Sequence, residues 1–207
     1  NKLKEKVTYH KFNNGKFGST WNSQHSLLPV FKEKITDSRI EVPEFVLNGR
    51  AKQTDLISAS FVSFKLIIST RLKDLIDANH YEGIQFFKTA LHCRDGTIME
   101  YCILNPFGFR NEYIDFSQSI IKCRPPHPES VSFLKVADRD EYNCLYENGK
   151  KERRIYIIDE PQLYTDKINE DFFLLEGVAG GIGYYVSEAF KNEITEAGCT
   201  GIAFSEI

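Results

Sequence analysis

The sequence has no run of 18 apolar residues, which excludes a helix of membrane-spanning length. Its cysteines are few, odd in number and scattered: Cys93, Cys102, Cys123, Cys144 and Cys199. That pattern argues against a disulfide framework and fits free thiols in a reducing compartment, so a cytoplasmic location is expected. The first residue is Asn rather than Met, so a leader removed before it is compatible with the sequence. Signatures of catalysis are also missing. There is no Gly-x-Ser-x-Gly, no His-Glu-x-x-His, and no Gly-Lys-Ser/Thr after the glycine-rich stretch at 177–183.

What remains reads as a folded protein. Apolar residues make up 42% and charged residues 27% of the 207, which is globular rather than disordered. That length suggests one large domain or two small ones. The net charge of −3 is unevenly spread. Residues 1–60 carry 10 basic and 6 acidic groups, whereas residues 137–176 carry 6 basic and 11 acidic. An acidic C-terminal part does not suggest a nucleic-acid binder and leaves room for a basic protein partner.

One pattern occurs twice. Ile68-Ser69 aligns with Val186-Ser187, Lys73 with Lys191, Ile76 with Ile194, and Gly83-Ile84-x-Phe86 with Gly201-Ile202-x-Phe204, without a gap. In each copy a β-rich run ends in Ser, a good helix N-cap. Phe190, Ile194 and Ala197 make one face of a helix, as do Leu72, Leu75 and Ile76. Gly198 stands where a helix favours a left-handed residue, and His80 is placed to cap the end of the first helix. The expectation is strand–helix–strand, twice, with a right-handed crossover wherever the two strands are parallel in one sheet.

Elsewhere the signals are local. Asn14-Gly15 between Val7–Phe12 and Phe17–Trp21 reads as a hairpin, Glu44–Leu47 as a short strand, and 51–60 as weakly helical. Thr97–Leu104, Tyr113–Ser117 and Val131–Val136 read as strands, with a turn at Asn105–Gly108 and an extended Pro-rich loop at 124–128. Glu141–Ile158 reads as a hairpin turning at Asn148-Gly149, with the basic run 150–154 on a solvated strand face. A β-rich N-terminal segment of residues 1–60 then precedes a larger α+β domain over 61–207.

Candidate chemistry is thin. Gly177 to Gly183 is separated from the following helix by a strand-like run, so it reads as a flexible link rather than a phosphate cradle. His92-Cys93 and Cys123-x-x-x-His127 offer zinc-type ligands, but nothing joins the two pairs. Ser69 and Ser187 are explained as helix caps. The acidic groups Asp138, Asp140 and Glu141, with Asp159 and Glu160, could hold Mg²⁺ or act as acid and base, or simply be solvated loop edges.

Several of these stretches carry a resemblance. Asp171-Phe172-Phe173-Leu174, Val186-Ser187 with its helix, and Gly198-Cys199-Thr200-Gly201-Ile202-Ala203-Phe204 resemble immunity-protein family eleven of bacterial polymorphic toxin systems, the Myxococcus-type immunity domain. Tyr101–Asn105 and Tyr113–Ser117 are similar to its middle segment, so the likeness spans roughly residues 60–207. The resemblance implies a cytoplasmic protein that binds a cognate toxin domain and neutralises it, and occlusion by surface complementarity is the expected mechanism. With no catalytic or metal constellation at usable spacing, no enzyme activity, cofactor or metal is expected, and the charge distribution and the lack of a long apolar run lead to no nucleic-acid or membrane partner. The expected fold is α+β, with a mixed or antiparallel sheet and few helices. Asp138, Asp140, Glu141, Asp159 and Glu160 are the expected partner-binding residues. The alternatives are a metal-dependent hydrolase or nuclease using those carboxylates, and an interaction module with no toxin.

Overall fold

The structure is a computed structural model and describes residues 25–28, 30, 32–47, 51–57, 65–127, 129–178 and 181–206. The hairpin expected around Asn14-Gly15 lies outside these residues. The chain divides into two compact units. One holds the described residues up to 108 together with Glu188–Phe204, and the other holds Phe109–Ser187 with the last residues.

The first unit is built on a sheet of five strands, β1 (Phe45–Val46), β2 (Leu56–Ile57), β3 (Leu66–Ser69), β4 (Ile84–His92) and β5 (Ile98–Pro106), in the order β1-β4-β5-β3-β2. β1 is parallel to β4, and the other pairings are antiparallel. Strands lie on both sides of residue 60 in this one sheet. The stretch 51–60, read as weakly helical, contributes β2 instead, because Leu56 and Ile57 pair with Ile68 and Ile67.

Successive residues on both faces are buried in β3 and in the second half of β5, where Leu66–Ile68 and Tyr101–Leu104 are apolar without a break. Ile67, Leu91, Tyr101 and Ile103 pack with Leu27, Leu28 and Phe45. On the alternate positions, Ile68, Cys102 and Leu104 are buried as well, and helix α1 (Thr70–Ala78) packs on β3 and β5 with Leu72 and Ile76 inward. The segment 33–43 is laced to the sheet by side chains of β4 and β5. Gln85 makes two bonds to the Ile35 backbone (2.7 and 2.9 Å), Thr89 donates to Pro43 O, and Asn105 donates to Glu33 O. Asn105-Pro106, expected in a turn, therefore continues β5.

The first copy of the repeat forms as expected. Ser69 caps α1 by accepting the Leu72 N–H, and His80, at φ 52°, supplies the left-handed residue that ends it. β3 and β4 are parallel, but β5 runs between them and antiparallel to both. The second copy gives β10 (Ile182–Val186) and α3 (Glu188–Glu196), where Phe190 and Ile194 are buried. Gly198, at φ 67°, ends α3: its N–H bonds Thr195 O, and the Cys199 N–H reaches Ile194 O, the two bonds of a Schellman motif. The final strand of this copy does not form. Residues 202–206 join no ladder, whereas their counterparts 84–88 in β4 pair with β5. Whether a following strand lies alongside to pair, not the local sequence, decides that difference.

The second unit contains a three-stranded antiparallel sheet of β6 (Ile120–Arg124), β7 (Ser132–Leu134) and β8 (Ile155–Glu160), in the order β7-β6-β8. A separate hairpin pairs β9 (Phe172–Glu176) with β10. Gly177 and Gly181 have positive φ and close the β9–β10 turn, so the expected flexible link is a hairpin loop. Tyr113–Ser117, expected as a strand, forms a 3₁₀ turn at Asn111–Tyr113 and one bridge from Ile114 to Leu163. Asp115 diverts it, accepting the N–H and hydroxyl of Ser117 at 3.1 and 2.6 Å.

The hairpin expected over Glu141–Ile158 is instead helix α2 (Arg139–Glu152) followed by β8. Asp138 accepts the Glu141 N–H at 2.9 Å, and Glu141 reaches back to the Ala137 N–H at 2.6 Å. These are reciprocal bonds of the capping-box kind. Acidic groups fill the first turn and Lys150 and Lys151 the last, matching the helix dipole. Tyr142, Leu145, Tyr146 and Gly149 form the inward stripe, and Arg153 at φ 59° ends the helix. Gly149 is needed for closeness rather than for a turn. A Cβ there would lie 2.5 Å from the Tyr156 ring.

Candidate protein-binding surface

The five expected partner-binding carboxylates all fall in the second unit, on two elements. Asp138 is the cap of α2, Asp140 and Glu141 sit in its first turn, and Asp159 and Glu160 end β8. Helix and strand are antiparallel, since Gly149 meets Tyr156 and Tyr142 lies near Gly177 and Ile158 at the other end. The two acidic groups therefore occupy one end of this unit. They are not equivalent. Asp138 and Glu141 are engaged in capping, Asp159 pairs with Lys122 at 3.1 Å, and Asp140 and Glu160 are exposed. The other candidates are structural. His92 pairs with Glu44 at 3.0 Å, Cys123 is buried, and Ser187 donates to Asp171. Among the described residues, no three His, Cys, Asp or Glu side chains gather where a metal ion could be held.

A second feature of this unit was not anticipated. One side of the β7-β6-β8 sheet buries Ile121, Cys123 and Ile158, and α2 packs along β8. The other side is open. Register places Phe133, Lys122 and Ile157 in one row across the three strands, and Arg124 beside Ile155 in the next. Val131 continues the β7 row two residues before Phe133. Phe133 is 60% exposed, Ile155 58% and Val131 49%. Lys122 holds its ammonium 5.3 Å from the centre of the Phe133 ring while paired with Asp159, so the middle of the face carries no net charge. Arg124 is exposed at its rim.

The signal for this face was present in the sequence. An outward-facing strand position ordinarily takes a polar residue, yet 131, 133, 155 and 157 are Val, Phe, Ile and Ile. Exposed apolar side chains that cluster, rather than scatter, mark an interaction site.

The Immunity protein family (Imm11) matches residues 13–207, and the chain belongs to that family. The match begins at residue 13, so most of residues 1–60 lie within the matched span. Comparison with curated proteins finds no match. No helix among the described residues is long and apolar enough to cross a membrane.

Proposed function

We propose that this protein binds the toxin domain of a bacterial polymorphic toxin system in the cytoplasm and neutralises it by occluding its working surface, with no catalysis of its own. The observation that carries this reading is membership of an immunity family over nearly the whole chain. The physics is compatible with it. Occlusion needs a surface with a desolvated apolar centre and charges that steer encounter. The acidic end, with Asp138, Asp140, Glu141, Asp159 and Glu160, supplies steering toward a basic partner.

The test is functional. The toxin domain encoded by the neighbouring gene is expressed under an inducible promoter, with and without this protein. Survival only when the protein is present, and co-purification of the two, supports the reading. Undiminished toxicity in its presence rejects it.

A further inference from the structure

Resting on that reading, we infer that the open face of the β7-β6-β8 sheet is the surface that meets the toxin, and that its counterpart is an apolar protein surface bearing a carboxylate. Three observations carry this. The face is apolar and accessible at Val131, Phe133 and Ile155 together, three of the five large apolar side chains most exposed among the described residues. Its central charge is already satisfied: Lys122 is paired with Asp159 and lies over Phe133. A partner can therefore cover the centre without burying an unpaired charge. Arg124, next to Ile155 in register, stands exposed with no ion pair to another described residue. A guanidinium at the rim selects a carboxylate, which it can hold through two parallel bonds.

The size of the face argues against a second copy of this chain as the occupant. Three strands about 4.8 Å apart and some five residues long at about 3.3 Å each offer roughly 240 Å². A stable complex buries about 800 Å² on each partner. Two copies meeting sheet to sheet would fall well short, and would set the two Arg124 cations in one small interface. A larger, different partner can centre on the sheet and extend past its β7 edge. Aromatic and aliphatic side chains at such a centre carry most of the binding energy, and the surroundings serve mainly to exclude water.

The experiment uses the full chain and a catalytically inactive form of the toxin domain encoded next to it. Phe133→Ala combined with Ile155→Ala is expected to weaken binding by about 30-fold or more. Arg124→Glu is expected to weaken it about tenfold, with a smaller salt dependence. Both truncated side chains are mostly exposed, so the melting curves should stay near that of the parent. As a measurement free of substitution, amide exchange at residues 131–134 should slow in the wild-type complex. Binding within twofold of wild type for the double variant, or unchanged exchange at 131–134, overturns the assignment while leaving the immunity reading intact. Failure of the wild-type protein to bind the toxin overturns both.

Discussion

Asp55 accepts two hydrogen bonds from Thr200, the backbone N–H at 2.8 Å and the hydroxyl at 3.0 Å, across 145 residues of chain. The same buried carboxylate receives the Ser69 hydroxyl at 2.7 Å and the Arg71 guanidinium at 3.0 Å. Arg71 in turn donates to Ala197 O at the end of α3, and the Leu56 N–H reaches Thr200 O. One acid thus joins the cap of α1, the start of β2 and the segment after α3. It ties the first copy of the repeat to the part of the second that shares its unit, the end of α3 and the segment after it.

Asp55→Asn should therefore loosen the segment after α3 and destabilise the first unit by about 2 kcal/mol or more, since donors in a buried site lose a charged acceptor. Burial opposes the charge on Asp55, but bonds from Ser69, Thr200 and Arg71 outweigh it and hold the carboxyl below its usual range. A lowered folded pKa means the contribution is complete above the unfolded value, near 3.9, and is lost as pH falls through the folded one. Denaturant melts should show a variant deficit at pH 6 that shrinks on acidification below pH 4. A deficit independent of pH would contradict this account.

Lys65 is 5% exposed and donates to Val30 O, and burial lowers its pKa to about 8. The folded state then releases a proton that the unfolded state still holds between about pH 8 and 10.5, so stability should rise with pH across that window. Lys65→Met should raise stability at pH 7 by roughly 1–3 kcal/mol and flatten that rise. Thermal melts from pH 7 to 10 measure both effects. An unchanged slope would place the amine in water.

Asn148 and Gly149 separate the helix from the hairpin that local sequence favours. Exposed Asn148 lies within α2, so Asn148→Ala should stabilise by about 0.5 kcal/mol through helix propensity. In a tight hairpin turn the same change would destabilise. Gly149→Ala should cost stability despite a propensity gain of about 1 kcal/mol, because the new methyl meets Tyr156. Chemical denaturation of the two single variants should give opposite signs; a deficit in both would contradict the helix at these positions.

The acidic end makes its own prediction. Asp138→Ser keeps a capping oxygen while removing charge, and Asp140→Lys reverses an exposed charge. Together they should slow association with the toxin about tenfold at low salt, with little effect at high salt. Association rates that are equal at every ionic strength would reduce this end to a helix cap.

Much of the fold was legible because local physics decided it. Ser69, His80 and Gly198 were identifiable as helix punctuation, and the β-rich run before Ser69 and Thr97–Leu104 as strands. The misreadings share a cause. Asn148-Gly149 has the dipeptide chemistry of a tight turn, but Asp138 and Glu141 cap a helix whose stripe runs through Tyr142, Leu145 and Tyr146. Residues 202–204 match a strand in sequence and lack one in structure, because their counterparts in β4 have β5 beside them and residues 202–206 join no ladder. Of the candidate surface, the carboxylates drew attention by charge alone. The apolar face was hidden because Phe133 and Ile155 read as ordinary strand residues until the register showed which side α2 leaves open.

The most direct measurement of the central claim is a growth assay with the neighbouring toxin domain induced alone and together with this protein. The account predicts full growth with the wild-type protein and lost protection with the Phe133→Ala, Ile155→Ala variant at equal expression. Growth arrest that the wild-type protein does not relieve would contradict it.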